Sequence, residues 1–169
     1  MDKKANESAD VQNRTYVDRK SDHEMVVTRT FDARAHTVFE AWAKPELFSQ
    51  WWVPESFGMT LLACDMDVRV GGGYRLAFSH PASDQPMSFF GTYTEVIADT
   101  RIVWTNEESD DGPVTTVTFE EHGGKTVLVV HNRFPSKEAL DAEIASGAMD
   151  GLGITLNQLE VFLRTFATA

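Results

Sequence analysis

Between Met149 and Phe166, the apolar residues Met149, Leu152, Leu156, Leu159, Leu163 and Phe166 recur in steps of three and four. That spacing puts them in one stripe along a helix, widened by Phe162. Such a helix must lie on an apolar surface larger than itself. The segment from Met59 to Asn132 supplies one. Its runs "MTLLACDMDVRV", "YRLAFSH", "PMSFFGTYTEVI", "RIVWTN", "VTTVTFEE" and "TVLVVHN" are rich in β-branched and aromatic residues and are joined by turn residues. These are strands at hairpin spacing, and strands joined by tight turns are antiparallel.

Upstream, "MVVTRTF" (25–31) alternates as a further strand. Val38, Phe39 and Trp42 then share one face of a helix that Lys44-Pro45 breaks. Pro45 suits the first turn of a second short helix, which places Phe48, Trp51 and Trp52 on one side and ends at Pro54 and Gly58. Ser136 is a good N-cap, with Glu138 in the first turn behind it. The expected fold is α+β: a curved antiparallel sheet of about seven strands wrapped around the long C-terminal helix, with two short helices after the first strand. Residues 1–23 are polar, of mixed charge and almost without large aliphatics, which predicts a flexible N-terminal arm before a single domain over 24–169. The acidic stretch "NEESDDGP" (106–113) is expected to be a solvated connection.

The charge balance narrows the function. Fifteen basic against 26 acidic residues give a net charge of −11, which repels phosphate backbones and anionic lipid. No nucleic acid and no membrane are therefore expected as partners. Cys64 is the single cysteine, so no disulfide forms within the chain, in keeping with a cytoplasmic location. The N-terminus has no apolar core of the secretory kind.

Four stretches resemble one family. "RTFDARAHTVFEAWAKPELFSQWW" resembles the opening motif of the activator-of-Hsp90-ATPase-homologue-like proteins, which belong to the START/Bet v 1-like helix-grip superfamily. "DVRVGGGYRL" resembles the family's D-x-R-x-G-G turn at Asp67, Arg69, Gly71 and Gly72. "GTYTEV" resembles its G-x-Y/V-x-E strand at Gly91, Tyr93 and Glu95, and "SGAMDGLGITLNQLEVFL" its final helix. The resemblance spans roughly residues 24–167. It implies a helix-grip fold with a hydrophobic cavity for small apolar or amphipathic molecules. Some superfamily relatives are cyclases, aromatases or lipid carriers. This chain departs from the pattern at Gly151-Leu152, where Gly-Trp is expected, and at Gly73, where a basic residue often stands. Leu152 in place of an aromatic would enlarge the cavity or open one side of it.

The expected cavity walls are Trp42, Phe48, Trp52, Phe57, Phe78, Phe90, Trp104, Met149 and Leu152. Trp51 and Trp52 are adjacent, so on a helix they point about 100° apart, and one packs inward while the other, or Phe57, edges the cavity mouth. An empty void of about 300 Å³ would cost up to about 7 kcal/mol, so a large pocket is hard to explain as a packing accident. The polar anchors expected near it are Arg69, His80, Tyr93 and His131. Asp67 and Arg69 share a strand face, either as a surface ion pair or with Arg69 holding an anionic head group. The five histidines lack metal spacing, so neither a metal nor another cofactor is expected. No G-x-S-x-G elbow is present, and no catalytic residue is assigned. Three functions follow: non-catalytic binding of a small hydrophobic or amphipathic ligand, a cyclase or hydrolase using a cavity histidine, or a protein-interaction module. Homodimerisation through the sheet edge or the tryptophan segment stays open.

Overall fold

A computed structural model describes residues 15–167. The chain forms β1 (Tyr16–Arg19), β2 (Glu24–Phe31), α1 (Ala35–Ala43), α2 (Pro45–Phe48), a 3₁₀ turn (Glu55–Phe57), β3 (Thr60–Met66), β4 (Gly73–Ser79), β5 (Met87–Ile97), β6 (Arg101–Thr105), β7 (Val114–His122), β8 (Lys125–Arg133), α3 (Lys137–Ala145) and α4 (Ala148–Ala167). One open antiparallel sheet runs in the order β1-β2-β8-β7-β6-β5-β4-β3. Strands β3 to β8 form the expected meander, and β2 joins it beside the last strand, pairing Val27 with Val130.

Alternation decides which side chains face the helix. On β8, Thr126, Leu128, Val130 and Asn132 are buried; on β7, Thr115, Val117 and Phe119 are. These apolar side chains join Val27, Phe31, Tyr74, Leu76, Tyr93 and Ile102 in one core with Leu156, Leu159 and Leu163 of α4. The leucine stripe thus lands on the sheet as its spacing requires, each leucine contributing roughly 1.5–3 kcal/mol of burial. Helix α1 adds Val38, Ala41 and Trp42 to the same core.

The sheet has one strand more than expected, and it lies inside the segment read as a flexible arm. Strand β1 pairs with β2 from Tyr16↔Thr28 to Arg19↔Met25. All four of its residues are exposed, so it is held by backbone hydrogen bonds and leaves no hydrophobic pattern to find. Residues 1–14 of the expected arm lie outside the described residues.

The helix expected to carry Phe48, Trp51 and Trp52 is also shorter than predicted. It stops at Phe48, whose carbonyl accepts from both the Trp51 and Trp52 N–H groups at 3.3 and 3.2 Å. Pro54 disfavours the helical conformation at Val53, so the tryptophans fall in a turn. Helix α1 lacks a cap from Arg34; the Glu121 carboxylate on β7 accepts the Ala35 N–H at 2.9 Å instead. Ser136 caps α3 as expected, accepting the Ala139 N–H at 3.1 Å.

Three glycines mark close backbone approaches: Gly72, Gly91 and Gly112, where a Cβ would stand 2.1 Å from the Asn106 carbonyl oxygen. A Cβ on Gly72 would stand 2.0 Å from the Asp67 carbonyl oxygen, so the β3–β4 turn admits no larger residue. A Cβ on Gly91 would stand 1.9 Å from the Thr105 carbonyl oxygen, which lets β5 and β6 approach closely under Tyr74.

Candidate ligand-binding cleft

A cleft of about 790 Å³ lies between the sheet, the turn after α2, helix α3 and the first half of α4. Its deep wall is aromatic. Trp42 contacts five rings, with centroid distances of 4.9 Å to Trp51, 6.0 Å to Trp104, 6.1 Å to both Phe48 and Trp52, and 6.5 Å to Phe119. Phe48 stacks on Trp52 at 4.7 Å. Trp51 is fully buried and donates its indole N–H to the Ala41 carbonyl at 3.1 Å. Trp52 lines the cleft, and Phe57 stands at its edge, 42% exposed.

The tryptophan segment is stapled to α4 by Gln158. Its amide nitrogen donates to the Trp51 and Val53 carbonyls at 2.8 and 2.6 Å, and its amide oxygen accepts the Glu55 N–H at 3.0 Å. The helix that forms the roof therefore also fixes one wall. Phe57 and Pro54 pass close enough to Gly151 that a Cβ there would sit 3.7 Å and 3.8 Å from them.

A polar chain crosses one side of the cleft. Tyr74 donates its hydroxyl to the Thr105 carbonyl at 2.8 Å, with the Asn106 side-chain oxygen 3.1 Å away. Asn106 donates to the Pro113 carbonyl and to the Thr115 hydroxyl at 2.7 and 3.0 Å, and Thr115 donates to the Asn132 side-chain oxygen at 2.6 Å. This chain pins the 106–113 loop against the sheet. The loop is solvated as expected, with residues 107–111 exposed, and it is also a cleft wall, with Asn106, Glu108, Ser109, Asp111, Gly112 and Pro113 lining it.

Two polar groups in this wall have no such partners. The Tyr93 hydroxyl makes no hydrogen bond among the described residues, although the side chain lines the cleft and is only 4% exposed. The Trp42 indole nitrogen is buried without an acceptor among the described residues. Burial pushes the Tyr74 and Tyr93 hydroxyls well above the ordinary phenol range, Tyr74 further through Glu108 and Tyr93 through Cys64 and Asp67, so both stay protonated. Burial and Asp65 push the Cys64 thiol up to about 11, which leaves it a poor nucleophile at neutral pH.

Seven of the expected wall residues meet here: Trp42, Phe48, Trp52, Phe57, Trp104, Met149 and Leu152. Phe78 and Phe90 do not. Phe78 is buried at the far end of β4, stacked on Phe89 at 5.0 Å. Phe90 projects from the opposite face and is 42% exposed; Phe89, opposite Leu76 in the register, lines the cleft in its place. Of the expected anchors only Tyr93 lines it. Arg69 lies beyond β3 in the turn, paired with Asp67 at 2.8 Å and exposed, so it holds no ligand head group here. His80 accepts the Ala82 N–H at 3.0 Å in the following turn. His131 is on the outer face of β8, 2.9 Å from Glu24. The parity of β8 instead sends Asn132 inward. Among the described residues, no cluster of histidine, cysteine or carboxylate side chains can hold a metal, and no helix is long and apolar enough to cross a membrane.

Comparison with known proteins gives a family. No curated protein matches the chain. Among solved structures, a protein from Staphylococcus epidermidis is 30% identical, with a TM-score of 0.73, covering 88% of this chain and 93% of that one. A protein from Nitrosomonas europaea superposes with a TM-score of 0.80 at 18% identity, covering 89% of this chain and 100% of that one. An AHSA1-like protein from Aeromonas hydrophila, 22% identical, gives 0.64 over 81% of this chain and 93% of that one. The model of the family "Activator of Hsp90 ATPase homolog 1-like protein" matches residues 32–164, and the chain belongs to that family.

Proposed function

We propose that the domain binds a small amphipathic molecule in the cleft and holds it without chemical change. The observation that carries this reading is the cleft itself. Its volume of about 790 Å³ falls within the roughly 300–1,000 Å³ range of small-molecule sites. Its walls are rings and aliphatics with a few fixed polar groups, the composition such sites share. A cyclase or hydrolase using a cavity histidine finds no support, because His80 and His131 both lie away from the cleft. The tyrosines and Cys64 stay protonated and supply no base.

Native mass spectrometry of gently purified protein tests the reading. A bound mass of roughly a few hundred daltons is expected, released on denaturation. Leu152→Trp fills the cleft with the aromatic that the family pattern favours at that position. It is expected to lose the bound mass while keeping the wild-type melting temperature. A bare wild-type protein that also takes up no fatty acid, sterol, amine or aromatic from a panel would overturn the proposal.

A further inference from the structure

The cleft has a charge pattern that selects among amphipathic ligands. Glu108 and Asp111 line it from the 106–113 loop, and Glu138 and Glu143 line it from α3. No lysine, arginine or histidine lines it among the described residues. None of these four carboxylates makes an ion pair among the described residues. Elsewhere on the molecule Glu40, Glu95, Glu121, Asp141 and Glu160 each have a lysine or arginine partner. On α3 itself Asp141 takes both Lys137 and Arg19, while Glu138 and Glu143 take none. Burial and the neighbouring Glu108 hold the Glu143 carboxyl above the usual carboxylate range, so the loop and the helix repel each other across the cleft.

The aromatic wall is independent of these acids and favours the same guest. Trp42, Trp52, Tyr74, Tyr93 and Trp104 line one continuous volume, and the faces of such rings attract a cation through their quadrupoles. The Tyr93 ring is 4% exposed and its hydroxyl makes no hydrogen bond among the described residues, so it can accept from the N–H of an amine ligand. A metal ion does not fit, because no three of the acids converge among the described residues. An acyl carboxylate would meet four acids and no base, and burying it unpaired is costly.

From these observations we propose that the ligand is an organic cation, an amine or quaternary ammonium with an apolar or aromatic body lying on the tryptophan wall and its charge facing Glu108 and Glu143. The proposal rests on the cleft being a binding site, and the test separates the two. Decyltrimethylammonium, decanol and decanoate share one tail and differ in head-group charge. Each is titrated below its micellar concentration into the full-length protein, near neutral pH and at physiological salt, with tryptophan fluorescence as the readout.

Decyltrimethylammonium is expected to bind at least about tenfold more tightly than decanoate, with decanol between them. Glu108→Gln with Glu143→Gln is expected to cut that preference below about threefold. Asp65→Asn with Glu120→Gln removes the same charge away from the cleft and controls for the overall field of an acidic protein. It is expected to keep the preference. Equal binding of all three probes, tighter binding of decanoate, or an equal loss of preference in both double variants would overturn the cationic ligand and leave the binding site standing. Failure of all three probes to bind would overturn both.

Discussion

Arg29 is a charged residue on the inward face of β2, only 3% exposed, and its removal is the most informative stability test. Its guanidinium donates to Glu160 at 2.7 Å and to Asn157, both on α4, and to the Thr15 hydroxyl at 3.0 Å. Its carbon centre also lies 5.5 Å from the Phe31 ring centroid. The cluster ties the second half of α4 to β2, and so fixes the helix whose first half roofs the cleft. Burial lowers the affinity of Arg29 for its proton, while Glu160 opposes that shift. The guanidinium remains charged, but the direction shows that desolvation outweighs the pull of its partner. Its Nε has no acceptor among the described residues, which adds to the cost.

Two different outcomes follow for single and double variants. Arg29→Met leaves the Glu160 carboxylate, with only 18% of its side chain exposed, beside an apolar group and with the exposed Arg164, 3.9 Å away, as its remaining cationic partner. Breaking a buried pair from one side costs about 3–5 kcal/mol. At about 2–4 °C per kcal/mol for a domain of this size, the melting temperature should fall by roughly 6–20 °C. Arg29→Met with Glu160→Met removes both charges and the desolvation they suffer, and should return to within about 1 kcal/mol of wild type. Urea titration with a shared slope measures all of these free energies. A single variant costing under about 1 kcal/mol, or a double variant worse than the single, would show that the pair is neither buried nor coupled as described.

Two further expectations follow from hydrogen bonds. Gln158→Leu removes the staple on residues 51–55 and should cost about 1–3 kcal/mol, with faster amide exchange confined to 51–57 as the distinguishing sign. The exposed His36, raised by its hydrogen bond to Asp99 and then by Asp99 and Glu40 charge, stabilises the fold below the ordinary imidazole pKa, and that contribution is lost as pH rises through the folded value. Glu24, lowered by its hydrogen bonds to His131 and Ser21, contributes above the ordinary carboxylate pKa and loses that contribution as pH falls through the folded value. The urea midpoint of His36→Gln should therefore approach that of wild type on the alkaline side of neutrality, and that of Glu24→Gln should approach it in acid. A gap that does not change with pH would refute either assignment.

The elements were legible wherever burial is periodic. The leucine stripe of α4 and the alternation of β7 and β8 could each be read locally, because each reports a single buried face. The positions within strands were less legible, since a slip of one residue exchanges the two faces. Phe89 and Phe90 are chemically identical neighbours, and only the pairing of Leu76 with Phe89 separates them. His131 and Asn132 present the same problem with a polar choice, although Asn132 shares the parity of the buried Leu128 and Val130 and could have been found from it. Strand β1 was invisible because a strand without a buried face carries no hydrophobic signal.

The acidic loop was only half legible, for a different physical reason. "NEESDDGP" has the composition of a solvated turn, and residues 107–111 are exposed as that composition suggests. What draws the loop onto the cleft is Asn106, through hydrogen bonds to Tyr74, Pro113 and Thr115 that no periodicity encodes. The same loop brings Glu108, which accepts the Phe90 N–H at 3.3 Å, and Asp111 to the cleft that α3 lines with the partly buried Glu143. Juxtaposing like charges there works against folding, and the other wall of the same space is made of tryptophans. A ligand with its charge facing Glu108 and Glu143 and its body on those rings would relieve the repulsion and cover the apolar surface in one step, so the feature least legible in the sequence is the one on which the proposed selectivity rests.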